Sequence, residues 1–240
     1  MKQLVVITGA SSGFGKALAL EFHQAGYPLL LLARRLDRLE EMNLQNTVCE
    51  QVDVRDKASF EQAVRKAEAI YGKTDLIINN AGVMLLGRLE DQDPKEWQQM
   101  LDVNVMGVMN GMQIVMNDMK DRQCGTIINI ASIAGVKTFH NHAAYCASKY
   151  GVVGLSEVAR SELSPFNVRV MRVCPGAVST ELLSHTTSEE IKEGYEKWKA
   201  TVGASSITAE DVAKTIRFAY EMPQGVNLRE IQIADTRQDA

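Results

Sequence analysis

The sequence predicts an α/β fold: one doubly wound domain whose seven-stranded, mainly parallel sheet carries helices on both faces. Three observations predict it. Short, nearly all-apolar runs alternate with amphipathic helical patterns over most of the chain, as strands buried on both faces require. Glycines and capping residues fall where those helices should end or begin. No Pro- or Gly-rich linker and no internal repeat divides the 240 residues, so 1–240 reads as one domain.

In order, residues 4–8 read as a buried strand, followed by a Gly/Ser turn and a helix through Phe14, Ala17, Leu18 and Phe22. Gly26 should end that helix. Residues 29–33 are the second strand and residues 48–52 a weaker third. Asp56 can cap a helix through Phe60, Val64, Ala67 and Ile70, closed by Gly72, and residues 76–79 form the fourth strand. Asp93-Pro94-Lys95-Glu96 supplies an N-cap, a first-position proline and a third-position glutamate. The helix it opens should run unbroken from Trp97 to about Met119. Residues 126–131, 143–163 and 168–174 then read as strand, helix and strand. The polar residues 181–206 break the rhythm, Thr208 caps a last helix, and residues 228–234 form the final strand.

Composition removes several function classes. A net charge of −4 offers no basic footprint for nucleic acid or an anionic membrane. Cys49, Cys124, Cys146 and Cys174 are scattered, without a CxxC pair, so free thiols in a reducing cytosol are expected. His23, His140, His142 and His185 form no HExxH, and no metal is expected. The apolar run near the N-terminus is too short for a signal-peptide core, and no later stretch suits a membrane span. The expectation is a soluble, cytoplasmic protein.

Thr8-Gly9-Ala10-Ser11-Ser12-Gly13-Phe14-Gly15 joins the first strand to the first helix, the context of a dinucleotide loop. Gly9 permits the tight turn, Gly13 lets backbone approach a ligand, and Gly15 allows close helix packing. Ser11 and Ser12 can cap the helix or bond phosphate and ribose, while free N–H groups favour a pyrophosphate. The G-x3-G-x-G spacing alone also suits a flavin or S-adenosylmethionine binder, or a plain structural turn.

Tyr145-Cys146-Ala147-Ser148-Lys149 opens a helix, so Tyr145 and Lys149 share one face a turn apart. An ammonium ~4 Å from the phenol, at an effective dielectric of ~20, would favour phenolate by ~4 kcal/mol. Alone, such a pair usually sits on the surface. Here Ser132 ends the fifth strand, where strand ends face the ligand crevice, and Asn79-Asn80-Ala81-Gly82 ends the fourth. Asn104 is polar within an otherwise apolar helical stretch.

Together these residues resemble the short-chain dehydrogenase/reductase family, from about residue 4 to at least 180, and the resemblance implies a Rossmann fold. Its T-G-x3-G-x-G stands at Thr8 to Gly15 and its N-N-A-G at Asn79 to Gly82. Its active-site Asn, Ser, Tyr and Lys fall on Asn104, Ser132, Tyr145 and Lys149. Its P-G motif falls on Pro175-Gly176, with Thr180 at the nicotinamide carboxamide. The implied cofactor set also takes in Phe14, Arg34, Arg35, Asp53, Val54, Asn80, Ala81, Gly82 and Val178. By resemblance Tyr145 is the general acid–base, Lys149 lowers its pKa and holds the nicotinamide ribose, Ser132 bonds the substrate oxygen, and Asn104 positions a relay water.

The resemblance further implies an alcohol/carbonyl oxidoreductase, with residues 181–207 as a substrate lid. A dimer or tetramer would form through the helices that start at Trp97 and Tyr145. The last strand departs from the family's glycine-rich ending and loosely resembles NADP-dependent serine or 3-hydroxy acid dehydrogenases. NADP(H) is expected over NAD(H): Ala33 stands where NAD-selective members carry Asp, beside Arg34 and Arg35. Arg34 is the expected main 2′-phosphate ligand, with Arg35 stacking on adenine. A non-catalytic NADP(H) sensor, or an epimerase or dehydratase on the same fold, is the rival reading.

Overall fold

Strand alternation sorts the apolar residues into two layers. In the computed structural model, which describes residues 2–201 and 207–238, Leu4 and Val6 of β1 (Leu4–Thr8) face one core while Val5 and Ile7 face the other. Leu30 and Leu32 of β2 (Leu29–Ala33) divide from Leu29 and Leu31 in the same way. Both faces of these strands are therefore buried, which is why their sequences are apolar throughout.

The remaining strands are β3 (Thr47–Gln51), β4 (Thr74–Asn79), β5 (Thr126–Ile130), β6 (Arg169–Pro175) and β7 (Glu230–Ile233). They join one sheet in the order β3-β2-β1-β4-β5-β6-β7, with every pairing parallel. The winding reverses between β1 and β4, and that switch point opens a crevice at the carboxyl ends of the strands.

On one face lie α1 (Gly13–Gln24) and α8 (Ala209–Glu221); Phe22 meets Tyr27 and Tyr220 there, at centroid separations of 5.3 and 5.9 Å. The other face carries α3 (Lys57–Tyr71), the helical stretch from Pro94 to Arg122, and α6 (Ala143–Leu163). The expected caps form. Asp56 accepts from the N–H groups of Ala58 and Ser59, Asp93 accepts from Lys95 N–H behind Pro94, and Thr208 makes a reciprocal capping box with Asp211.

Three expectations are corrected and one element is added. The helix beginning at Pro94 is not uniform: α4 (Pro94–Leu101) and α5 (Gly107–Arg122) are separated by a π-helical turn, Asp102–Met106. That turn re-aims Asn104 inward onto Val83, a packing demand that periodicity does not encode. A short helix, α2 (Leu36–Glu40), follows β2 directly. Residues read as arrhythmic hold a turn at Glu181–His185 and a helix, α7 (Glu189–Thr201); residues 202–206 of that segment lie outside the described residues. Finally, Ser12 sits at the N-cap of α1 without capping it.

Candidate active site

A single cleft runs along the carboxyl edge of the sheet, and the phosphate loop forms one end. Gly9 has a φ of +67°, and a Cβ there would lie 2.8 Å from Ala81 Cα. A Cβ on Gly15 would lie 2.2 Å from the carbonyl oxygen of Gly9, so any side chain would push α1 off the loop. The switch point is clamped from within. Thr8 Oγ1 accepts from the N–H groups of Asn80 and Ala81 at 2.9 and 3.0 Å, and the Asn80 amide donates to Thr8 O at 2.9 Å.

Instead of capping α1, the serine hydroxyls meet Arg35. Its guanidinium reaches Ser11 Oγ at 3.1 Å and Ser12 Oγ at 3.1 Å. The next donor pairs with Glu181 at 3.1 Å, and Arg38 meets the same carboxylate at 2.8 Å. The two arginines hold the Glu181 carboxyl below its usual range. Arg34 is more exposed and sends no side-chain bond into the loop, although its own carbonyl accepts from Gln51. Asp53, held by Arg55 at 2.6 Å, keeps a depressed pKa at the rim.

At the deep end, Ser132 leaves β5 in extended backbone and its hydroxyl oxygen accepts from Ala134 N–H at 3.0 Å. The same hydroxyl hydrogen-bonds the Tyr145 phenol. Burial nevertheless dominates Tyr145 and pushes its pKa above the ordinary phenol value; the Ser132 bond opposes this. Lys149 follows Tyr145 by one turn of α6. Its ammonium donates to the Ile130 carbonyl at 2.9 Å and lies 5.8 Å from the Tyr145 ring centroid. Only 5% exposed, it is pushed down to about 8 by desolvation.

Asn104 is spent on structure. Its amide accepts from Val83 N–H at 2.8 Å and donates to Val83 O and Ser148 Oγ at 2.9 and 3.0 Å. The side chain thus ties the strand-end loop to the π turn rather than facing the cleft. Of the sequence-expected site residues, all line the cleft except Asn104 and Gly15, which support it from behind.

Sequence reasoning missed several neighbours. His185 lines the cleft and is held below its usual pKa by burial first and then by Arg34 and Arg35. Buried Thr186 pins the segment after β6 by donating to Met84 O and accepting from Leu86 N–H, both at 3.1 Å. Gln238 accepts from Ala177 N–H at 2.9 Å and secures the Pro175-Gly176 loop. Phe139, His142, Tyr195 and Trp198 wall the deep end. Only α7 left a signal: Ile191, Tyr195 and Trp198 fall at i, i+4 and i+7.

Fold and cleft define the class, a Rossmann-type dinucleotide oxidoreductase. Known proteins narrow it: a profile of the family described as short chain dehydrogenase matches residues 3–191, and the chain belongs to that family. It is 35% identical to an uncharacterized oxidoreductase of Listeria monocytogenes over 98% of this chain and 97% of the relative. It is 34% identical to an NAD-dependent glycerol dehydrogenase of Listeria innocua over 91% of this chain and 82% of that protein. A closed serine dehydrogenase complexed with NADP+ superposes with a TM-score of 0.88 at 30% identity, covering 96% of this chain and 94% of that one. No helix among the described residues is long and apolar enough to cross a membrane.

Proposed function

We propose that this protein is an NADP(H)-dependent oxidoreductase that interconverts an alcohol and its carbonyl compound, with Tyr145 as general acid–base. The observation that carries the reading is convergence. Tyr145, Ser132 and Lys149 meet at the deep end of the same cleft whose other end presents Arg35 on Ser11 and Ser12. The cradle fits a dinucleotide: the glycine loop has no room for side chains, and the N-terminus of α1 favours a pyrophosphate.

The nicotinamide, when bound, supplies or accepts the hydride. The chain's residues handle the proton and the geometry. Ser132 hydrogen-bonds the reacting oxygen, and Tyr145 gives it a proton in reduction or takes one in oxidation. A phenol raised by burial is a reluctant base, and the Lys149 ammonium, which spends one donor on Ile130 O and keeps two for the ribose, is the cation whose charge lowers it. The Asn104 side chain is already committed, so any relay water would use its backbone carbonyl in the π turn, where the regular ladder is interrupted.

Three features favour NADP(H): Ala33 in place of an acid, the Arg35–Ser11–Ser12 cluster, and likeness to a serine dehydrogenase complexed with NADP+. The glycerol dehydrogenase relative is NAD-dependent, which makes this cluster the deciding element. Arg35, rather than Arg34, is assigned the 2′-phosphate, because Arg35 lies across the loop. Exposed Leu101, Met106 and Met109 on one helical stretch and Tyr150 and Val158 on α6 favour a homo-oligomer through those helices. Titration with NADPH and NADH, then turnover on a carbonyl panel followed at roughly 340 nm, tests the reading. Equal or tighter NADH binding would overturn the cofactor assignment.

A further inference from the structure

The deep end of the cleft is bounded by a closed cycle of rings. Phe139 meets His142 at a centroid distance of 5.6 Å, His142 meets Tyr195 at 5.9 Å, Tyr195 meets Trp198 at 5.3 Å, and Trp198 returns to Phe139 at 6.0 Å. His142 also meets Tyr145 at 6.2 Å, so the cycle adjoins the proton donor. Two of these rings come from the loop before α6 and two from α7, and all four line the cleft.

Charge is distributed unevenly along the cleft. Arg34, Arg35, Asp53 and Glu181 belong to the phosphate-loop end. Beside the rings, Lys199 is the only charged lining residue besides Lys149 among the described residues, and Glu196 already pairs with it at 2.8 Å. No carboxylate lines that end among the described residues. His142 adds no charge: its Nδ1 lies 2.5 Å from the carbonyl of His140, so Nδ1 carries the proton, and burial keeps the ring neutral.

From this arrangement we infer that the substrate is an uncharged carbonyl compound whose carbonyl adjoins a flat ring, seated against Tyr195 and Trp198. The inference rests on the oxidoreductase reading above and excludes small hydroxy acids and amino alcohols as preferred substrates. A carboxylate would be desolvated among rings where Glu196 already neutralises Lys199 and the Lys149 ammonium is held by the Ile130 carbonyl. An ammonium would gain from the ring faces, but among the described residues no carboxylate lines that end to pair with it, and the buried Lys149 ammonium opposes it. A flat, neutral ring loses only water and gains stacking.

The test compares four methyl ketones with NADPH: acetophenone, butanone, 3-oxobutanoate and a trimethylammonium-bearing ketone. The expected result is a kcat/KM for acetophenone at least about tenfold above each of the others, the discrimination that one well-packed group gives. Trp198→Ala should cut the acetophenone-to-butanone ratio about tenfold, chiefly through KM, and Trp198→Phe should retain most of it. Preference for the charged ketones, or an unchanged ratio in Trp198→Ala, overturns this inference while leaving the oxidoreductase reading intact. If NADPH binds but none of the four ketones is reduced, both readings fall.

Discussion

The two ends of the cleft are built by opposite rules. The phosphate-loop end comes from one contiguous turn, residues 8–15, with Arg35 bent back across it. It is polar, partly exposed and charged. The ring-walled end gathers Phe139, His142, Tyr145, Tyr195 and Trp198 from a loop and two helices, and holds Tyr145 and Lys149 at 5% exposure each. At the first end charge binds in contact with water, so affinity should depend on salt and on single arginines. At the second, low dielectric makes protonation state the governing variable. The comparison teaches that cofactor choice and substrate chemistry can be altered separately.

The largest effect should come from Tyr145→Phe. Loss of the proton donor is expected to lower kcat by roughly 10²–10⁴, with NADPH affinity nearly unchanged. A parallel loss of NADPH binding, measured by titration, would break the separation between the two ends. Next, Arg35→Ala should weaken NADPH by roughly ten- to a hundredfold, as a lost charge-assisted hydrogen bond predicts, and leave NADH almost untouched. Arg34→Ala should cost less; the opposite ranking would return the 2′-phosphate to Arg34.

Lys149 links function to stability. Its folded pKa of about 8 lies below the 10.5 of an exposed lysine, so below pH 8 the fold carries a buried ammonium at a cost. At ~1.36 kcal/mol per unit that cost is roughly 3 kcal/mol, less what its bond to Ile130 O returns. Lys149→Met should therefore abolish turnover yet raise the melting temperature of the cofactor-free protein by a few degrees at pH 7. Between pH 8 and 10.5 the unfolded chain holds a proton the folded enzyme has lost, so the advantage should fade as pH rises. Melting curves at pH 7 and pH 10 check the sign, and an advantage that grew with pH would refute the assignment.

The smallest expected effect is at the turn Glu181–His185. Glu181 occupies both Arg35 and Arg38, and its pairs are exposed, worth little each. Glu181→Gln should tighten NADPH about two- to fivefold at low salt, with no change for NADH and a vanishing difference at high salt. Tighter NADH binding in the same variant would show that Glu181 acts on the loop generally, not on the 2′-phosphate site.

What the sequence determined by itself is what local rules encode. Apolar runs of strand length set the parallel sheet, capping residues set helix starts at Asp56, Asp93 and Thr208, and glycines fixed the phosphate loop, because each depends on residues within a turn of one another. The order of the family motifs placed Ser132, Tyr145 and Lys149 in one cleft, and the structure brings them together there. Tertiary structure alone decided the rest. It put Arg35 rather than Arg34 on the serines, since a guanidinium's direction is set by partners such as Glu181, 146 residues away. It spent Asn104 on Val83, a satisfaction of buried amide groups that no periodicity announces. It also closed the ring cycle, because a narrow stripe on α7 acquires meaning only when Phe139 and His142 arrive opposite it.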